Sequence, residues 1–98
     1  MILFMINKKR NVNAVLEKKG PKYILKKGSK VSEEISDSFR SHDRVLKKRE
    51  KQLDKNFILK KDMEFNSSST AGEFVLGTSC NGMIRWKSKK GKTLKELV

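Results

Sequence analysis

Between Phe65 and Lys87 the chain carries a helix start, a helix stop, a turn signal and its only tryptophan, and this stretch confines the fold more than any other. Ser67, Ser68 and Ser69 follow Phe65-Asn66. A serine hydroxyl accepts a hydrogen bond from a first-turn N–H that has no partner inside the helix, so any of the three can cap. A helix is predicted from Thr70 to Leu76, with Ala71, Phe74 and Val75 on one apolar face at i, i+3, i+4 spacing. Gly77 stands where a left-handed residue ends a helix. Two turns of helix do not hold themselves together in water, so this one has to pack against a larger body. Asn81-Gly82 predicts a tight turn, since both residues tolerate positive φ, and Met83-Ile84-Arg85-Trp86 predicts a short strand. Trp86 reads first as a core anchor, with stacking on a base or ring as the sharper alternative.

The larger body is read from the N-terminal third. Residues 2 to 6 are a continuous apolar run, as in a buried strand, and Val12, Ala14 and Leu16 alternate along a second strand from Val12 to Glu17. Tyr23-Ile24-Leu25 begins a third strand that runs on towards Lys26 or Lys27. The links between them are short and polar, one containing Gly20-Pro21, which favours an antiparallel meander. A helix is predicted over residues 37–53, capped by Ser36 or Asp37. Its apolar seam would be Ile35, Phe39, His42, Leu46 and Leu53 with Val45 beside them, and Lys47 to Lys51 would be a solvated face. Phe57-Ile58-Leu59 reads as a short strand or extended segment, and Thr93 caps a last helical turn held by Leu94 and Leu97. The prediction is a single α+β domain over residues 1–98. It has a small antiparallel sheet, made of the N-terminal three-strand meander plus short C-terminal strands. One longer helix and one or two short helices pack with that sheet.

Several of these elements occur together in a known pattern. Phe65, Ser67 and Ser69, Ala71, Leu76-Gly77, Asn81-Gly82, Trp86-Lys87 and Gly91-Lys92-Thr93-Leu94 resemble an uncharacterised domain found C-terminal to GIY-YIG nuclease domains, and its relative the RAMA (restriction enzyme and adenine methylase associated) domain. Ser68 stands where that family usually has Pro, and Gly72 where it usually has Ala. A Gly inside a helix costs ~1 kcal/mol relative to Ala, so the second departure weakens the helix without touching its apolar face. The family also begins with short strands and a Gly-Ser after the third, here Gly28-Ser29, so the resemblance runs along nearly the whole chain. It implies an association with restriction, modification or repair systems, and a nuclease or methylase as a protein partner. The GIY-YIG signature itself is absent, so nuclease chemistry is not implied.

The net charge of +13 points to a polyanion partner. Residues 1–31 carry nine Lys or Arg against the single Glu17, and Lys22, Lys26, Lys27 and Lys30 would follow a phosphate backbone if they share a face. A second basic run surrounds Trp86: Arg85 before it, then Lys87, Lys89, Lys90 and Lys92. If that run folds back beside Ser67, Ser68 and Ser69, the lysines and the exposed N–H groups of the helix start form one phosphate-binding pocket, with any base readout falling to Asn81 through Trp86. The expected partner is nucleic acid, DNA more than RNA and double-stranded in preference, with a docking module for a protein as the alternative.

Catalysis is not expected. Gly91-Lys92-Thr93 looks like the end of a P-loop, but position 86 would have to be glycine and is Trp86. Asp43 and Glu50 explain themselves as a helix surface. No cofactor or metal is expected, since one Cys and one His do not make a four-ligand zinc site. The lone Cys80 suits a reducing cytoplasm, and the apolar run at residues 2–6 is far too short to span a membrane.

Overall fold

The computed structural model describes residues 1–98. Three strands open the chain, β1 (Ile2–Asn7), β2 (Val12–Lys19) and β3 (Lys22–Leu25). A fourth, β4 (Met63–Phe65), joins after a long excursion. The sheet runs in the order β1-β2-β3-β4 and is antiparallel throughout. Strand alternation sorts the side chains. Leu3 and Met5 face Leu16 and Ala14 across the ladder, Leu25 lies beyond Leu16, and all five are buried. Ile2, Phe4 and Ile6 take the opposite face, where Ile2 and Ile6 are exposed.

The α2 helix (Ser68–Leu76) lies on the buried face, against β2, β3 and β4. Its Ala71, Phe74 and Val75 join Leu16, Leu25 and Phe65 in one core, with the Phe65 and Phe74 rings 5.7 Å apart and tilted. The start of α2 is capped as the sequence allows: Ser67 Oγ accepts the Thr70 N–H at 3.1 Å. At the far end Gly77 is left-handed, with φ of 70°. A Cβ there would also run into the Glu34 carbonyl, so the position is glycine for two reasons. Gly72, the apparent weak point of the helix, makes room for Cys80: a Cβ would collide with the Cys80 Sγ. Burial pushes the Cys80 thiol up to about 11, more than the nearby Arg85 pulls it down.

The excursion departs from the sequence expectation. The α1 helix spans His42–Gln52, not residues 37–53, and neither Ser36 nor Asp37 caps it. The Ser36 N–H donates instead to the Gly77 carbonyl at 2.8 Å, which ties this segment to the end of α2. The buried face of α1 is Val45 and Arg49, with Leu53 buried just after it, whereas Leu46 is exposed and His42 sits half-buried between Asp37 and Asp43. The expected strand at Phe57 to Leu59 is reduced to two bridges outside the sheet, Ile58 to Lys30 and Leu59 to Leu53, and Phe57 itself is left-handed, with φ of 61°.

The expected strand at Met83–Trp86 is a helical turn, α3 (Gly82–Arg85). Asn81 has φ of −94° and its side chain accepts the Met83 N–H at 3.1 Å, so Asn81-Gly82 is a helix start and not a hairpin turn. Asparagine serves both purposes equally well. Glycine is needed at 82 for closeness and not for positive φ: a Cβ there would collide with the Ser68 backbone. The chain ends in α4 (Leu94–Leu97), whose Leu94 is fully buried.

Candidate nucleic-acid interface

Trp86 fixes the ground on which the C-terminal basic run is built. It is fully buried, and its Nε1–H donates to the Ser68 carbonyl at 2.9 Å. The next residue, Lys87, exchanges two backbone hydrogen bonds with Phe4 of the edge strand β1, at 2.7 and 3.0 Å. Leu94 N–H returns to the Trp86 carbonyl at 2.9 Å. Between these anchors the chain closes a tight loop. Ser88 N–H donates to the Lys92 carbonyl at 2.7 Å, Gly91 N–H to the Ser88 carbonyl at 2.9 Å, and Lys92 N–H to Ser88 Oγ at 3.2 Å. A capping box then starts α4, with Thr93 and Glu96 each accepting the other's backbone N–H. Those bonds, the Thr93 N–H first, hold the Glu96 carboxyl below its usual range.

Lys87, Lys89, Lys90 and Lys92 therefore project from a braced loop, and Arg85 stands at the end of α3 beside it. All five are exposed. The chain's ion pairs involve Lys19, Lys22, Lys26, Lys30 and His42, and none of these five cations. Arg85, Lys87 and Lys89 line one groove of about 370 Å³ together with Phe4, Ile6 and Ile84. Lys90 and Lys92 share the loop but lie outside that lining. The apolar half of the groove was hidden in the sequence. Residues 2–6 read as a strand buried on both faces, whereas β1 is an edge strand whose even-numbered side chains point away from the core.

At the start of α2 the serine hydroxyls that the sequence offered to a phosphate have partners inside the chain. Gly82 packs directly on Ser68 and Ser69, and its N–H donates to Ser69 Oγ at 2.9 Å. Ser68 is buried, with its hydroxyl towards the Met83 sulfur. Ser67 caps its own helix and Asn81 caps α3, so each of these polar groups already has a partner inside the chain. Trp86 has no exposed ring face for a base. The Ser67, Ser68 and Ser69 hydroxyls and the Trp86 ring are thus taken up within the fold, and Arg85, Lys87 and Lys89 line a groove with the β1 edge.

A family model described as a domain of unknown function, DUF4357, matches residues 4–98. The chain belongs to the DUF4357 family. The matched span of this DUF4357 domain takes in the basic loop and all but the first residues of β1, so the groove lies inside it. No curated protein and no solved structure matches the chain. No helix of the DUF4357 domain is long and apolar enough to cross a membrane.

Three lysines of the other basic stretch of this DUF4357 domain, Lys22, Lys26 and Lys30, are paired within the fold, and Lys27 is exposed without an ion pair. Lys22 Nζ donates to Asn66 Oδ1 at 2.8 Å and lies 3.8 Å from Glu64. Lys26 pairs with Asp62 at 3.0 Å and Glu17 at 3.5 Å, while Lys30 donates to the Val31 carbonyl and lies 3.8 Å from Glu33. Asp62 also accepts the Lys27 N–H at 2.7 Å. That bond, and Lys26 after it, hold the Asp62 carboxyl below its ordinary range, and Asp62 in turn raises Lys26.

Arg49, read from the sequence as surface, is 4 % exposed and makes five hydrogen bonds. Four α2 carbonyls that have no partner inside the helix are satisfied from outside it. Gly77 N–H reaches Glu73, Arg49 reaches Phe74 and Val75, and Arg10 and Ser32 Oγ reach Leu76. Burial pushes Arg49 down to about 10, which leaves it a cation at neutral pH. Its place at the negative end of the helix dipole offsets part of that desolvation.

Proposed function

We propose that the domain binds nucleic acid as an accessory module, with double-stranded DNA as the preferred partner, and carries out no chemistry of its own. One observation supports this above the rest: Arg85, Lys87, Lys89, Lys90 and Lys92 stand exposed on or beside a hydrogen-bonded loop with no carboxylate paired to any of them. Cations left without a counter-charge inside a fold are available to displace counterions from phosphates. The resemblance to GIY-YIG-associated and RAMA domains favours DNA over RNA. It also suggests a role in restriction, modification or repair, and the lone Cys80 suits a reducing cytoplasm.

The test is a fluorescence-anisotropy titration of a labelled duplex, unmodified and adenine-methylated, with matched RNA, at low and near-physiological salt. The expected result is duplex binding that is tightest at low salt and exceeds binding to RNA. Absence of binding to any of them at low salt would overturn the proposal.

A second reading has its own support. Ile6 and Ile84 are 64 % and 51 % exposed, and both line the groove beside the basic segment. Exposed apolar side chains near one another favour a protein-docking surface, here for a nuclease or methylase partner. Under that reading charge reversal between residues 85 and 92 leaves function intact, and polar substitution at Ile6 and Ile84 abolishes it.

A further inference from the structure

Phosphate contacts alone do not account for the groove between β1 and the basic loop. Its cations, Arg85, Lys87 and Lys89, surround apolar surface contributed by Phe4, Ile6 and Ile84. A fully stacked duplex offers such a site phosphates and sugar but no flat apolar group. The backbone adds a polar element. Phe4 directs its N–H and C=O outward to Lys87, so Ile6, two residues on, directs its own pair the same way. No backbone hydrogen bond joins the Ile6 N–H or C=O to another part of the chain. The groove therefore combines an apolar floor with an aromatic edge, one adjacent donor and acceptor, and a rim of three cations.

We propose that this groove holds one unpaired nucleotide, extruded from or bulged out of the bound nucleic acid. Its base lies against Phe4, Ile6 and Ile84, the edge of the base meets the Ile6 backbone pair, and its phosphates meet Arg85, Lys87 and Lys89. A base presents that combination of flat apolar faces, a polar edge and an attached anion, and stacking on aromatic surface tolerates every base. An acidic extended peptide adding a strand to β1 is the competing occupant. The geometry disfavours it because Lys87 already takes both outward bonds of Phe4, so no run of consecutive ladder positions is open. The proposal rests on the nucleic-acid reading and specifies which nucleic acid is preferred.

The experiment compares the affinity of the whole chain for a perfect duplex, the same duplex with one bulged adenosine, and a peptide of alternating Glu and Val. It is run at low and near-physiological salt for the wild type, Ile84→Ser and Phe4→Leu, with thermal unfolding to confirm that each variant is folded. Ile84 is exposed, so its variant keeps the test valid if Phe4→Leu loosens the edge strand. The wild type is expected to favour the bulged duplex by roughly tenfold, the low end of what stacking one base supplies. Both variants are expected to bring that ratio close to one, and a ratio that stays near tenfold in both would overturn the inference. Equal affinity of the wild type for bulged and perfect duplex would overturn the inference and leave the nucleic-acid reading standing. Failure to bind either duplex even at low salt would overturn both. Tighter binding of the peptide than of either duplex would assign the groove to a protein and overturn the inference.

Discussion

Two lysine-rich segments look alike in the sequence and differ completely in the fold. Lys22 to Lys30 runs along β3 and its exit, and Arg85 to Lys92 runs along the end of α3 and the loop after it. In the first set Lys22 and Lys26 meet Glu64, Glu17 and Asp62 from other parts of the chain and Lys30 meets Glu33 three residues on, while the exposed Lys27 joins no ion pair. The second meets no carboxylate. Arg49 extends the first group to its limit, as a buried cation whose three guanidinium nitrogens all donate to Ser32, Phe74 or Val75. A net charge counts both kinds equally, but only the unpaired kind is available to a polyanion. What separates them is where distant acidic residues land, and composition does not contain that.

If this division is right, the largest effect on stability comes from the consumed cations. Arg49→Ala leaves the Phe74 and Ser32 carbonyls without partners and should cost about 3 kcal/mol or more in chemical denaturation. Arg49→Lys should not restore it, because a single ammonium does not reproduce the planar fork that spans three residues. A cost under about 0.5 kcal/mol for Arg49→Ala would place Arg49 among the ordinary surface charges.

Gly82→Ala addresses the other side of the comparison. Its Cβ collides with the backbone at the start of α2, so α3 has to shift, at about 1–3 kcal/mol. Because α3 carries Arg85 and leads into the basic loop, nucleic-acid affinity should fall with stability. Unchanged stability would show that α3 does not bear on α2 as closely as described.

Smaller effects sharpen the contrast further. Asp62→Asn releases Lys26 from its partner and should raise low-salt affinity for a duplex. Its stability cost has a definite pH dependence. The Asp62 carboxyl titrates lower in the fold than in the unfolded chain, so its contribution is present above the ordinary carboxylate range near ~4 and is lost as pH falls through the folded value. Wild type and Asp62→Asn should therefore differ in denaturant midpoint at neutral pH and converge in acid. A gap that persists in acid would mean that the hydrogen-bond geometry and not the charge matters. Smallest of all, Lys90→Gln should leave stability within about 0.5 kcal/mol of the wild type, since the side chain is exposed and joins no ion pair. A larger loss would reveal a structural partner for it.

Much of the fold was legible because local chemistry and packing agree in those places. The meander follows from alternation at Val12, Ala14 and Leu16 and from short polar links, and α2 follows from a serine cap, an apolar face and Gly77. The errors sit where one residue type serves two purposes. Asn81-Gly82 satisfies a hairpin turn and a helix cap equally, and only the approach of Ser68 decides between them. Arg49 sits among Lys47, Lys48 and Lys51, and nothing local marks it as the donor that α2 requires. The basic half of the candidate interface was legible as charge. Its apolar half, Phe4, Ile6 and Ile84, was not, because a strand's place at a sheet edge is a property of the whole sheet.

The central claim is that the cations of the 85–92 segment, and not those of the 22–30 segment, meet phosphate. The most direct measurement is the salt dependence of duplex affinity for three proteins: the wild type, the triple variant Arg85→Gln, Lys87→Gln and Lys89→Gln, and the triple variant Lys22→Gln, Lys26→Gln and Lys30→Gln. Each phosphate contact contributes about 0.9 to the slope of log affinity against log salt. The first variant is expected to lose roughly 2–3 from that slope, and the second less than about 1. Equal losses in the two variants, or an unchanged slope in the first, would contradict the account.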